Sequence, residues 1–198
     1  MPVYDQAMHE NELADQLAKA GLIFLGWPDD SLPRVPGSVA RYAVSCGNES
    51  DRTDVNLNYS DTRWKEGANS AWFELSVSAG LFGQDQEFLV AITLEPEMYP
   101  VPIRWAWVRL AVSWDIAGEG AAGPLGGGRH LPEFVMLSLD GEVIVRGTVW
   151  QDGIGFLAVR NPGQSPVLRQ QAESVMTWHR SRPEERLAAR RWLDAGAA

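Results

Sequence analysis

The chain has 198 residues, 45% of them hydrophobic and 22% charged, with 17 Lys and Arg against 26 Asp and Glu. This composition supports a buried core and excludes intrinsic disorder. The net charge of −9 disfavours nucleic acid and anionic membranes as partners, and the single cysteine, Cys46, excludes a disulfide-rich scaffold. The sequence shows neither a signal-peptide pattern nor an apolar run of about 18 residues, so we expect a cytoplasmic protein that does not bind membranes.

The N-terminal part of the chain predicts one helix and two short strands. Asp5 is a suitable N-cap, and Gly21 a suitable stop, for a helix over residues 6–20. The apolar run at residues 22–27 predicts a strand. Residues 39–45, which follow a proline-rich loop, are the next strand candidate.

Four segments then alternate apolar and polar residues with a period of two. In the first of them, Val55, Leu57 and Tyr59 share one face and are separated by polar residues. Such alternation is typical of antiparallel strands with one buried face. The four predicted strands cover residues 53–59, 71–78, 87–95 and 101–114.

A glycine-rich segment, residues 118–128, follows these strands. It contains six glycines and predicts a flexible connection. Farther along, Ser165 and Pro166 suit the start of a helix, as N-cap and first helical residue. One or two helices are expected within residues 166–194, because Pro183 interrupts the apolar pattern there.

Between these two regions lies the strongest local signal in the chain. Asp140-Gly141 and Asp152-Gly153 separate three alternating segments. An Asp-Gly pair between alternating strands is a strong indication of a tight hairpin turn. The sequence therefore predicts a three-stranded meander over residues 134–139, 142–150 and 154–160.

Together these elements predict an α+β fold with one mostly antiparallel sheet of about eight strands, an N-terminal helix and one or two C-terminal helices. We expect a single domain over residues 1–198, with a division near the glycine-rich segment as the alternative. We also expect the helix over residues 166–180 to cover the second face of the meander, leaving the strands of residues 53–114 open. That face is predicted to carry Phe134, Met136, Ile144, Trp150, Ile154 and Phe156.

Patterns that hold cofactors or metals are missing from the sequence. His9, His130 and His179 lack metal-ligand spacing, and the glycine-rich segment lacks the Lys and Ser/Thr of a phosphate-binding loop. There is no G-x-S-x-G elbow of a serine hydrolase. We therefore expect no metal and no cofactor.

Tryptophan is the unusual residue of this chain, with nine copies. Trp105, Trp107 and Arg109 share one face of a predicted strand, and Trp72 shares a face with Glu74 on another. Indole and guanidinium groups are typical of recognition surfaces. These five residues form the predicted binding site, unless the terminal helices cover them.

Three hypotheses about function follow. The first is a non-catalytic binding protein (a regulator, chaperone or immunity-type protein) that holds a protein or peptide partner, a basic one being favoured by the acidic charge. The second is a cavity for a small apolar ligand. The third is an enzyme built on that cavity, with Glu74, Glu95 or His130 as acid or base.

Overall fold

The computed structural model describes residues 3–47, 51–58, 60, 62–93, 99–126 and 131–196, with side chains described from residue 10 onward. The helices are α1 (Val3–Lys19), α2 (Gly37–Ala40), α3 (Trp64–Ala79), α4 (Pro166–Thr177) and α5 (Pro183–Ala195). The strands are β1 (Leu22–Gly26), β2 (Arg52–Asn58), β3 (Glu87–Thr93), β4 (Ile103–Leu110), β5 (Val135–Leu137), β6 (Val143–Val149) and β7 (Gly153–Arg160). None of these helices is both long enough and apolar enough to cross a bilayer.

The strands form one sheet in the order β1-β4-β3-β5-β6-β7-β2, and all neighbours are antiparallel. The predicted α+β fold with a single antiparallel sheet is therefore confirmed, with seven strands in the described part of the chain. The predicted meander is β5, β6 and β7. Gly141 adopts a φ of +82° between β5 and β6, a conformation that glycine reaches without steric cost.

Helices cover both faces of the sheet. Helices α1 and α3 pack on what we call the first face, where the buried cluster includes Leu17, Trp72 and Phe88. Residues 35–46 and helices α4 and α5 pack on the second face, where the cluster includes Trp105 and Leu168. Burial of these two apolar clusters is the main source of stability that the fold displays.

The predicted strand over residues 71–78 is wrong, because this segment belongs to helix α3. The buried side chains of α3 are Ala68, Trp72, Leu75, Ser76 and Ala79, spaced as on one helix face. The period of two predicted from Phe73, Leu75 and Val77 is not the buried set, since Val77 is 55% exposed. The helix ends at a left-handed glycine, Gly80, with a φ of +89°.

The predicted strand over residues 39–45 is also wrong. Residues 37–45 form α2 and a 3₁₀ turn (Arg41–Ser45) that together cross the second face. Val39, Ala40 and Ala43 are buried in that crossing. Ala43 lies four positions after Val39 and three positions after Ala40. This spacing is typical of one face of a helical turn packed on a sheet.

The predicted faces of the meander need a correction as well. Leu137 pairs with Ile144 across the β5–β6 hairpin, so Ile144 lies on the second face, beneath α4. Phe134, Met136, Ile154 and Phe156 pack instead on the first face. Helix α4 therefore packs on the second face, whereas most of the residues that it was predicted to cover lie on the first face.

Part of the glycine-rich segment is ordered structure. Ile116–Gly120 is a π-helical turn, and Asp115 caps it by accepting hydrogen bonds from the backbone N–H groups of Gly118 and Glu119. Leu125 is fully buried just beyond this turn. Residues 127 and 128 of the predicted flexible connection lie outside the described residues.

The two edges of the sheet differ. At one edge, β1 has five residues, and its register with β4 is interrupted between Phe24 and Gly26. At the other edge, β2 has seven residues in continuous register with β7. A short, bulged strand is protected against further pairing, whereas a long regular one is not.

Candidate functional site

The five residues of the predicted site do not form one surface. Trp72 is fully buried beneath the first face, and Glu74 is exposed on the outside of α3. Trp105, Trp107 and Arg109 do share the second face of β4, as predicted. The proposed continuity between the two groups depended on a strand at residues 71–78, and that strand is a helix.

The second face of β4 is largely covered by the protein itself. Trp105 is 9% exposed, and its indole Nε1 donates a hydrogen bond to the backbone oxygen of Val35 at 2.9 Å. Trp107 packs against the same cluster, and its Nε1 is shielded from solvent with no partner among the described residues. Arg109 remains partly exposed. These two tryptophans therefore act mainly in packing.

The opposite end of the second face lies where β2, β7 and β6 meet. The cross-strand register aligns Asp54 with Leu157 and Arg146, Asn56 with Gly155 and Thr148, and Asn58 with Gly153. Trp150 follows β6, and its backbone N–H donates to Gly153 O at 2.8 Å. We call the residues Asn56, Asn58, Thr148, Trp150, Gly153 and Gly155 the open end.

Trp150 lies across the glycine backbone of the open end. A β-carbon on Gly155 would come within 2.7 Å of both Trp150 Nε1 and Asn56 Oδ1, and within 3.5 Å of Thr148 Oγ1. The indole is 50% exposed. Three polar side-chain atoms thus converge over Gly155, and glycine there leaves them the space.

Two polar groups at this end are buried without a partner. Thr148 is 6% exposed, and no described group forms a hydrogen bond with its hydroxyl. The same holds for Nε of Arg146, two residues earlier on the same face of β6. Buried donors without partners are uncommon in folded proteins, so both require an explanation.

Arg146 also lies in an unfavourable electrostatic environment. Burial and the nearby positive charge of Arg41 lower the pKa of Arg146, and the charge of Glu133 acts in the opposite direction. No carboxylate of a described residue is within ion-pair distance of the Arg146 guanidinium. One of its terminal nitrogens donates a hydrogen bond to the backbone oxygen of Arg41.

A cleft of about 570 Å³ opens at the same end of the molecule. Its lining is Asn56, Leu57, Asn58, Trp150, Gln151, Asp152, Gly153 and Ile154.

The chain matches no protein-family model, no curated protein and no solved structure.

The chemistry of the open end suits binding by hydrogen bonds. Its groups are an indole N–H, a hydroxyl and two carboxamides, beside the guanidinium of Arg146. Within the described ranges, no three His, Cys, Asp or Glu side chains are grouped closely enough to hold a metal ion. Of the acid–base candidates, Glu74 is exposed on α3, and Glu95 and His130 lie outside the described residues.

The sequence does contain a signal for the open end. Arg146, Thr148 and Trp150 alternate along β6 and the residue that follows it. Thr148 stands opposite Gly155 and Trp150 opposite Gly153 of β7. Side chains beside two glycines at a spacing of two are left without cross-strand neighbours, which is the pattern of an unfilled surface. The abundance of tryptophan alone does not indicate this site, because threonine and two glycines also form it.

Proposed function

We propose that this protein is a non-catalytic binding protein that holds an extended segment of a partner protein as an additional strand on β2. In this mode, main-chain hydrogen bonds supply affinity and the flanking side chains supply specificity. The observation that supports it is the edge position of β2, which is seven residues long, regular and, among the described strands, paired with β7 alone.

The hydrogen-bond pattern indicates which backbone groups of β2 point outward. Arg160 N donates to Asp51 O, so residue 51 faces β7. Because inward and outward groups alternate along an antiparallel strand, residues 53, 55 and 57 also face β7. The N–H and C=O groups of Arg52, Asp54, Asn56 and Asn58 therefore point away from the sheet.

The side chains beside this edge favour a particular partner. On the first face, Val55 and Leu57 are partly buried against the core. On the second face, the two asparagines are exposed. The Arg52 guanidinium forms an ion pair with Asp54 at 2.6 Å and also donates to the backbone oxygens of Val44 and Cys46. We expect the added strand to alternate apolar residues with polar ones.

A proline at residue 56 tests this proposal. Asn56→Pro removes an outward N–H and leaves the hydrogen bonds to β7 in place, a position in which edge strands tolerate proline. Asn56→Thr retains the N–H and serves as the matched variant. Peptides selected from a random display library on the wild-type protein are then measured against both variants.

The expected result is that Asn56→Pro loses peptide binding at least tenfold (about 1.4 kcal/mol) while Asn56→Thr retains it. Hydrogen exchange provides the second measurement. Bound peptide should slow exchange at the amides of Asp54 and Asn56, with little change at Val55, which is already paired. Selected peptides that bind Asn56→Pro as well as wild type would refute strand addition at β2.

A further inference from the structure

Arg146 is the charged group in the described structure whose surroundings are least complete. A guanidinium has five N–H donors, and the structure gives this one a single acceptor, the Arg41 backbone oxygen. Its Nε is shielded from solvent without a partner. An unpaired buried charge is costly unless a counter-charge is bound.

The polar surroundings of Arg146 include a second cation, an unpaired hydroxyl and one carboxylate that does not pair with it. Arg41, on the 3₁₀ turn that crosses the second face, is exposed and adds a second positive charge. The hydroxyl of Thr148 is buried and unpartnered at the next position of the same strand face. Glu133 is the acidic group on this side, and it forms no ion pair with Arg146.

We propose that Arg41, Arg146 and Thr148 form a binding site for an oxyanion, a carboxylate or phosphate group of a small molecule, at the open end of the second face. Guanidinium groups bind such oxyanions through two parallel hydrogen bonds. The partly exposed guanidinium of Arg146 and the exposed side chain of Arg41 meet the ligand first. A small shift of the Arg146 side chain then gives the ligand the Nε of Arg146 and the hydroxyl of Thr148, which are shielded from solvent in the free protein.

This site does not rest on strand addition at β2. Arg146 lies on β6, two strands in from the β2 edge, and its side chain is partly exposed on the second face. The strand-addition variant Asn56→Pro should therefore keep the oxyanion response. If either proposal fails, the other still has its own measurement.

The test is thermal unfolding with inorganic phosphate, with acetate, and with chloride at the same ionic strength. A specific site gives a saturable rise in Tm, of roughly 3–5 °C when the anion is at about ten times its Kd. The anion whose addition gives a saturable rise in Tm shows whether the site prefers a phosphate or a carboxylate. General salt stabilisation has no saturation and is the same in every variant.

Arg146→Gln should abolish the saturable rise in Tm, and Arg41→Gln should raise the Kd of the anion at least fivefold. Arg190→Gln, at an exposed residue of α5, is the matched control that loses the same charge and keeps the response. An NMR titration of the wild-type arginine Nε–H signals supplements the variants, with the largest shift expected at Arg146. No saturable rise with either anion, or one retained in Arg146→Gln, would overturn the proposal.

Discussion

Alanine substitutions at Gly153 and Gly155 test the geometry of the open end most directly. A β-carbon on Gly153 would lie 2.0 Å from the backbone oxygen of Leu57 and 3.1 Å from its carbonyl carbon. Carbon contacts are ordinarily about 3.5–4.0 Å, so the backbone of β2 would have to move by about 1 Å or more. This movement would disrupt the end of the β2–β7 ladder.

The expected cost of Gly153→Ala is about 3 kcal/mol in the free energy of unfolding, the upper part of the range for overpacking. For a chain of this size, that corresponds to a fall in Tm of roughly 6–12 °C. Gly155→Ala meets only the side-chain ends of Asn56 and Trp150, each at 2.7 Å. Because both side chains can move, we expect a cost below about 1 kcal/mol.

The assay is thermal unfolding followed by circular dichroism, together with tryptophan fluorescence of the native state. Gly155→Ala should displace the Trp150 indole and change the emission while the Tm stays nearly constant. Gly163→Ala, where a β-carbon meets nothing within 4 Å, is the control. Equal destabilisation by Gly153→Ala and Gly155→Ala would refute the geometry described for this end of the sheet.

Two further predictions concern the core and its pH dependence. Trp72→Phe should lower the free energy of unfolding, measured with urea, by about 1 kcal/mol less than Trp105→Phe does. The reason is that Nε1 of Trp72 has no hydrogen-bond partner among the described residues, whereas Nε1 of Trp105 donates to the backbone oxygen of Val35. A larger loss for Trp72→Phe would contradict this. Burial raises the pKa of Asp115, but hydrogen bonds from Asn69, Glu119 and Gly118 outweigh it and leave the pKa below the ordinary 3.8. The ionised carboxylate therefore stabilises the fold above the ordinary pKa, and this contribution disappears as the pH falls through the lower folded-state value. Asp115→Asn should cost about 1 kcal/mol near neutral pH and lose less stability than wild type below about pH 4, as measured by unfolding across a pH series.

The sequence was informative wherever one local rule determined the structure. The Asp-Gly pair at 140–141 located a hairpin, and Ser165-Pro166 located the start of α4, where the Ser165 hydroxyl accepts a hydrogen bond from Leu168 N. The alternation at residues 53–59 located β2, because β2 is an edge strand with one face exposed. In each case, the deciding contacts are only a few residues apart.

Prediction failed where the deciding partners are distant in sequence. Residues 71–78 allow a period of two when they are taken alone. The structure instead buries Trp72 of helix α3 against Phe82, Phe88 and Trp114, all of which lie outside this segment. The cover over Trp105 comes from Val35, seventy residues earlier. A site built from Arg41, Arg146 and Thr148 depends on how the 3₁₀ turn of residues 41–45 packs on β6, which no local pattern contains.

The inequality between the two sheet edges limits how these molecules can aggregate through their backbones. Endless growth of a sheet requires every added subunit to offer one receptive edge and to present another. Here β1 is short and bulged, so an association on β2 leaves no second edge for continued growth. The long, regular edge of β2 suits pairing with one further strand, whereas the two edges together are poorly suited to fibre formation.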